Sequence, residues 1–184
     1  MKRTLLFFFF VLLFSTAAYA ETTFQFQMPG VQAPGGDDVG AFRIVFLYGK
    51  NNSVSGLDMG LLSFSEATNQ SGLSLNMGVG HVTGTSSGAA CGLVNIHRGT
   101  DSGFNGAFIN IVKSITSGVN VGFVNITEDY SAVDIGGLSI SDKSKAQISF
   151  VNITQELEGL QIGFLNVAPN GFLPVFPVFN FPKK

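Results

Sequence analysis

Bulky apolar positions alternate with small or polar positions along most of this chain. In the stretch Gly159–Val167, the side chains of Leu160, Ile162 and Phe164 alternate with glycine and glutamine. Successive side chains of a β-strand point to opposite sides. The stretch therefore predicts one strand with a bulky face and a small, polar face.

Imperfect copies of this unit recur from Ala41 onward, and internal repeats of this kind indicate stacked, similar structural units. Aligning each copy on the position of Asn166 gives ten anchors, separated by 13 to 16 residues. Six are asparagines, which we interpret as structural repeat anchors: Asn95, Asn110, Asn125, Asn152, Asn166 and Asn180. The other four anchors are Tyr48, Ser63, Val79 and Ser139.

The two faces of the repeat differ in charge and size. The thirty positions that lie six, four and two residues before the ten anchors carry no charge, so we expect this bulky face to be shielded from water. The opposite face is small and polar, as in Gly118, Asn120 and Gly122. The substitution Ile162→Asp is accordingly expected to prevent folding or insertion, and Gln161→Asp to be tolerated.

Short polar connectors such as 127–130 and 141–144 favour turns between antiparallel strands. The proline-rich end, 174–181, predicts an edge or closing strand, because proline cannot donate to a ladder. We therefore expect an all-β fold of about ten repeated strands, an antiparallel meander that closes into a β-barrel. The alternative is a β-solenoid, whose corners would suit ladders of stacked Asn and Ser side chains. The absence of Trp and the three apolar residues per strand count against a membrane barrel.

The domain organisation follows from the two ends of the chain. Residues 1–20 combine positive charge, the apolar run Leu5–Phe14 and a small-x-small site, which predicts a cleaved signal peptide. Residues 21–40 form an N-terminal leader or cap, and 41–181 a single β-repeat domain. The protein is thus expected to be exported to the outer membrane or cell surface, or alternatively to the periplasm.

Composition restricts the partners. Charged residues make up 12% of the chain and the net charge is −2, so nucleic acid is not an expected partner. The single cysteine excludes an intramolecular disulfide. An apolar exported chain must cover its bulky face. The first expectation is outer-membrane lipid, and a protein or glycan partner is the alternative.

Candidate chemistry is sparse. Cys91, His97 and Asp101 lie close in sequence, but Cys91 occupies the middle of a bulky face, where a small apolar residue is expected. His81 and His97 each follow an anchor by two residues, which would place them in the same slot of adjacent units. A zinc site needs a third ligand, which is not evident. We expect no enzyme activity and no catalytic, metal or cofactor site.

The units Gly118–Ile126 and Gly159–Val167 resemble the GLQIGLxN repeats of a family of exported bacterial surface-repeat proteins. The end at 170–181 also resembles a termination of such arrays, and the resemblance covers roughly 41–181. It implies placement in the cell envelope and supplies no catalytic residues. Our hypothesis is a non-enzymatic cell-envelope protein with a structural or passive-pore role. The alternative is a soluble periplasmic or secreted β-solenoid that binds a glycan or protein.

Overall fold

The computed structural model describes residues 21–183, so the expected signal peptide at 1–20 lies outside the described residues. Strands account for 87% of the fold, and the all-β prediction is confirmed. Within the described range, no helix is long and apolar enough to cross a membrane.

Seven strands form one sheet in the order β2-β1-β3-β4-β5-β6-β7. Their bounds are β1 Thr22–Met28, β2 Val31–Ala33, β3 Asp38–Val54, β4 Leu57–Val82, β5 Ser86–Asp101, β6 Phe104–Val167 and β7 Val175–Asn180. The longest, β6, spans 64 residues and passes through several repeats without interruption. Strand boundaries therefore do not mark the repeats.

The repeats wind into a parallel β-solenoid, so the antiparallel meander and the barrel are wrong and the alternative fold is supported. Phe42 of β3 pairs in parallel with Leu57 of β4, and Ala89 of β5 with Phe104 of β6. Each turn has a first side, which carries the bulky triplets, and a second side that begins at the anchor.

The polar connectors were interpreted as turns between antiparallel strands, but they are strands of the second side. Residues 127–130 and 141–144 lie within β6. Thr127 and Ser141 point into a polar interior, so these segments need no inward apolar alternation.

The bulky face lies outside and the small, polar face inside, as in the barrel prediction, but the interior is a packed core instead of a lumen. The small, polar face is the core: the side chains of Asn120, Gln147 and Gln161 have no solvent exposure. The bulky face is outside, where Phe150 is 62% exposed and Phe164 70% exposed. The expectation that the bulky face is shielded from water is therefore wrong for the single chain.

Ladders of amides satisfy this polar core. Asn110 donates from Nδ2 to Oδ1 of Asn125 at 2.9 Å, and Asn152 donates to Asn166 at 2.8 Å. Such amide ladders are stable between stacked in-register strands because each amide bonds to the next along the axis. Asn95 donates to Asn110 at 3.2 Å and extends the first ladder by one turn.

Glycine three residues before the anchor makes room for the ladder. A Cβ on Gly122 would meet the Asn110 Nδ2 at 2.8 Å and the carbonyl oxygen of Ala107. At Gly163 it would meet the backbone of Ser149 and the amide of Asn152. The second glycine of the Gly-polar-Gly pattern thus reflects the close approach of the neighbouring turn and its asparagine side chain.

Several aliphatic side chains of the second side are almost completely buried. Val54, Val82, Val112, Ile115 and Leu157 are each exposed by 2% or less. Complete burial of such side chains contributes roughly 1.5–3 kcal/mol each. Hydrophobic packing therefore contributes to the second side, together with buried hydroxyls such as those of Thr127 and Ser141, whereas amide ladders support the first side.

The three early anchors, Tyr48, Ser63 and Val79, are out of register. Gly49 pairs with Ser65, and Gly80 pairs with Asn95. Register shifts near residues 46–48 and 76–79 insert extra residues into these turns. Counting a fixed number of residues back from each anchor does not reveal them.

Both ends of the solenoid are covered. At the N-terminal end β1 pairs in parallel with β3, and the short β2 pairs antiparallel with β1. At the C-terminal end β7 runs antiparallel to β6, with Ile162 opposite Phe179. The prediction of a closing strand at 174–181 is confirmed.

Candidate functional site

The main surface feature is an uncharged outer face on the first side of the solenoid, between Phe42 and Phe164. We call it the front wall and define it as the residues six, four and two positions before each anchor in that range. Its side chains that are at least 37% exposed are Phe46, Leu61, Leu73, Leu75, Met77, Leu93, Phe104, Phe108, Phe123, Ile135, Ile148, Phe150, Leu160, Ile162 and Phe164. Water contacts this face in the single chain, at a cost proportional to its apolar area.

Phenylalanine rings stack along the front wall. Phe108 and Phe123 have ring centroids 5.2 Å apart and planes 6° apart; for Phe150 and Phe164 the values are 5.0 Å and 3°. Because neighbouring rings cover each other's faces, their edges point outward. Gly137 takes the intervening position and interrupts the column of rings, and the Phe123 ring lies 3.2 Å from where a Cβ on Gly137 would be.

A groove of about 540 Å³ opens in the same wall, near its N-terminal end. Its walls include Met59, Leu61, Leu75, Met77 and Leu93. Cys91 lies at its small-residue end, where the column of middle positions changes from Met and Leu to Cys and Gly. The lining is almost entirely apolar, so the groove suits an apolar side chain better than a polar ligand.

The structure does not bring Cys91, His97 and Asp101 together as a nucleophilic set. Cys91 is partly exposed and lines the outer groove. His97 is 2% exposed and points into the core. On an uninterrupted strand, residues 91 and 97 would point to the same side, because side chains alternate. The corner between them reverses the alternation, so Cys91 points outward and His97 points inward.

His97 belongs instead to an internal cluster. Its Nδ1 hydrogen-bonds to Oδ2 of Asp101, which also accepts from Nδ2 of Asn105 at 2.8 Å. Burial raises the pKa of Asp101, but the hydrogen bond and charge of His97, the Gly103 N–H and Asn105 outweigh it and hold that pKa below its ordinary value. Asp101 has no exposure, so a substrate cannot reach this cluster.

The two histidines do not share a slot. His81 pairs with Ile96, whereas His97 pairs with Val82, because the register shift after Asn76 moves the third repeat by one residue. His81 points outward, with its ring centroid 5.6 Å from that of Phe64. Within residues 21–183, no group of three or more His, Cys, Asp or Glu side chains could hold a metal ion.

Sequence reasoning missed an ion pair inside the first turns. Arg43 and Asp58 stand on the small face 15 residues apart, one repeat. Both side chains are buried, and Arg43 also donates to Oδ1 of Asn51 at 2.8 Å. Opposite charges at the same position of successive repeats were the signal that could have found this pair.

A third buried acid, Asp134, has no basic partner among the hydrogen bonds of the described residues. Burial raises its pKa, and hydrogen bonding from Asn120, whose Nδ2 donates at 2.8 Å, opposes the effect. Like the Arg43–Asp58 pair, Asp134 is enclosed.

The six asparagine anchors have no solvent exposure. Five lie along the parallel turns. Asn180 belongs to β7, and its Nδ2 donates to the Leu173 carbonyl at 3.1 Å rather than to the ladder. The anchors are thus placed to hold turns together, and none reaches the surface.

The described residues therefore offer a closed polar interior and an open apolar front wall. No protein-family model, no curated protein and no solved structure matches this chain.

Proposed function

We propose that this chain is a non-enzymatic, exported β-solenoid module of the cell envelope that binds a protein partner through its front wall. The observation that carries the proposal is the inversion of the fold: amides fill the interior and phenylalanines cover the outside. Export and envelope placement rest on the N-terminal sequence and on the resemblance to surface-repeat proteins.

The size of the front wall supports a binding role. Turns of a parallel sheet stack about 4.8 Å apart, and the eight steps from Ile44 to Ile162 therefore extend roughly 40 Å. Five residues of strand add a width of roughly 17 Å, which gives an area on the order of 700 Å². The largest apolar patch of a typical soluble monomer is about 300–600 Å², and larger ones mark interaction sites.

A passive pore is not supported. The interior positions that a lumen would require are filled, since Asn110, Asn125 and Asn152 have no exposure. An enzyme is not favoured either, because the two acids with perturbed pKa values, Asp101 and Asp134, are enclosed.

Charge on the second side favours a protein partner over immersion in lipid. Arg98 pairs with Glu128 at 3.2 Å, and Lys143 pairs with Glu156 and Glu158 at 3.1 and 3.0 Å. These exposed ions need water, while the opposite front wall does not. The chain is therefore suited to a contact on one side and solvent on the other.

Site-specific photo-crosslinking in the native envelope tests the proposal. A photoreactive residue at Ile148 of the front wall is expected to give discrete protein adducts, and the matched probe at Glu128 on the second side is not. Equal labelling from both positions, or adducts with lipid only, would contradict a protein-binding front wall.

A further inference from the structure

We propose that the partner of the front wall is a second copy of this chain, packed wall on wall around a two-fold axis with the two solenoid axes reversed. This inference rests on the proposed function and narrows it to one occupant. The contact is isologous, which means that both copies use the same surface. A turn on one side of the centre of the wall faces the turn at the same distance on the other side of the centre in the second copy.

The capped ends direct association to the side of the solenoid. A solenoid with a free terminal turn would add copies end to end, since its edge offers unpaired backbone groups. Here β2 and β1 cover one end, and the antiparallel β7, with Pro174 and Pro177 at its edge, covers the other. A lateral contact through the front wall closes after two copies.

The area agrees with a stable dimer. The front wall offers on the order of 700 Å² per copy, and a standard specific interface buries about 800 Å² per partner. Its exposed large side chains are Phe, Leu, Ile and Met, apolar types that suit a homodimer interface.

The charge distribution favours a second copy over an anionic membrane as the partner of the front wall. Interfacial membrane binding needs Lys or Arg around the apolar face. The front wall carries no charge at all, and the chain as a whole is acidic, with a net charge of −2. Two uncharged front walls can pack together without electrostatic repulsion and without burying an unpaired charge.

Shape supports reversed axes. From Met77 onward, the column two residues before each anchor has the most exposed side chains of the front wall. In copies with reversed axes this column faces itself, and the turn of Phe108 lies at the centre. Met77, which is 64% exposed, then lies opposite Gly137, the one position of this column between Phe46 and Phe164 that has no side chain. With parallel axes this column would instead face the column six before the anchors, and Met77 would no longer face Gly137.

The first experiment measures the mass of the processed chain, residues 21–184, by size-exclusion chromatography with light scattering in buffer without detergent. We expect twice the chain mass at micromolar concentration. Ile148→Asp on the front wall is expected to give the monomer mass with an unchanged circular dichroism spectrum. The control, Glu128→Lys on the second side, stays dimeric.

The second experiment tests the reversed axes by crosslinking in a Cys91→Ala background. Met59→Cys and Ile148→Cys are made in separate copies and mixed with a bismaleimide that spans about 10 Å, the distance between facing sheets. Reversed axes predict crosslinks in the mixture and none within either variant alone. Crosslinks within each single variant would show parallel axes and overturn the reversed arrangement.

A monomer of the unsubstituted chain at high micromolar concentration overturns self-association. So does an open series of larger species, or a defined mass only in micelles. If the chain is monomeric and Ile148 still crosslinks to another protein in the envelope, the proposed function stands without this inference. If neither occurs, both fail.

Discussion

Arg43 holds Asp58 through two parallel hydrogen bonds inside the solenoid: Nε lies 2.8 Å from Oδ1, and Nη2 lies 2.8 Å from Oδ2. The guanidinium is fully buried and belongs to the turn before that of the carboxylate. Neither charge has water to solvate it, so each depends on the other. The pair joins the first turns along the solenoid axis.

Asp58→Asn is expected to destabilise the chain by about 3–5 kcal/mol, because it leaves a buried guanidinium without its counter-ion. Glu128→Gln, which breaks the exposed pair with Arg98, is the control and is expected to cost about 1 kcal/mol or less. Urea unfolding followed by circular dichroism measures both. Similar costs for the two variants would mean that the Arg43 site is open to water.

Asn125→Ala tests the ladder. Asn125 accepts from Asn110 and donates from Nδ2 to the Ile135 carbonyl at 3.0 Å, so its loss affects the turns on both sides. We expect a loss of about 1–3 kcal/mol in the free energy of unfolding. Asn52→Ala, at an exposed asparagine on β3, is the matched control and should fall within about 0.5 kcal/mol of the unsubstituted chain. A ladder that contributes nothing would make the two variants equal.

The repeat, the all-β class, the two alternating faces and the closing strand were accessible from the sequence. Each depends on local periodicity, as in Gly159–Val167, which two-residue alternation specifies. The direction of strand pairing was not accessible, because 127–130 has the same polar character as a turn and as a second side with a polar interior. Pairing is set by contacts between turns, such as Asn105 with Asn120, which local pattern does not encode.

The expectation that the bulky face is shielded from water was wrong because burial was inferred from hydrophobicity. That rule fails where buried polar groups satisfy one another, as Gln161 does by donating from Nε2 to Oε1 of Gln147 at 2.8 Å. The candidate site shows the same limit. The front wall residues were identified correctly as a set, but the groove at Cys91 and the slots of His81 and His97 depend on register shifts that the spacing conceals.

Asp134 and Asp101 should affect the pH dependence of stability in opposite directions. The pKa of Asp134 is raised, so the folded chain holds this proton more tightly and stability falls as pH rises from the ordinary value of 3.8 through the folded pKa. Asp134→Asn should remove that loss and raise the melting temperature at pH 7, with the gain shrinking towards pH 3.8.

The pKa of Asp101 is lowered, so its contribution is present above 3.8 and is lost as pH falls through the folded pKa. Asp101→Asn should lower the melting temperature at pH 7, with the difference shrinking in acid. Asp129→Asn, at an exposed position, controls for net charge. Thermal unfolding between pH 3 and 7 compares the three variants, and a gain for Asp101→Asn at pH 7 would contradict the assignment.

Gln161 and Ile162 are adjacent residues on opposite sides of one strand, and they separate folding from association. Gln161 has no exposure, and a carboxylate there would lie beside Gln147 without a counter-ion, so Gln161→Asp should destabilise the fold by several kcal/mol. Ile162 is 41% exposed on the front wall, so Ile162→Asp should cost about 1 kcal/mol or less in the isolated chain. It should nonetheless weaken partner binding, because it places a charge in an apolar contact. Urea unfolding and the mass of the folded species measure the two effects separately. Severe unfolding by Ile162→Asp with little effect of Gln161→Asp would restore the sequence-based expectation for these two substitutions and remove the physical basis for a front wall.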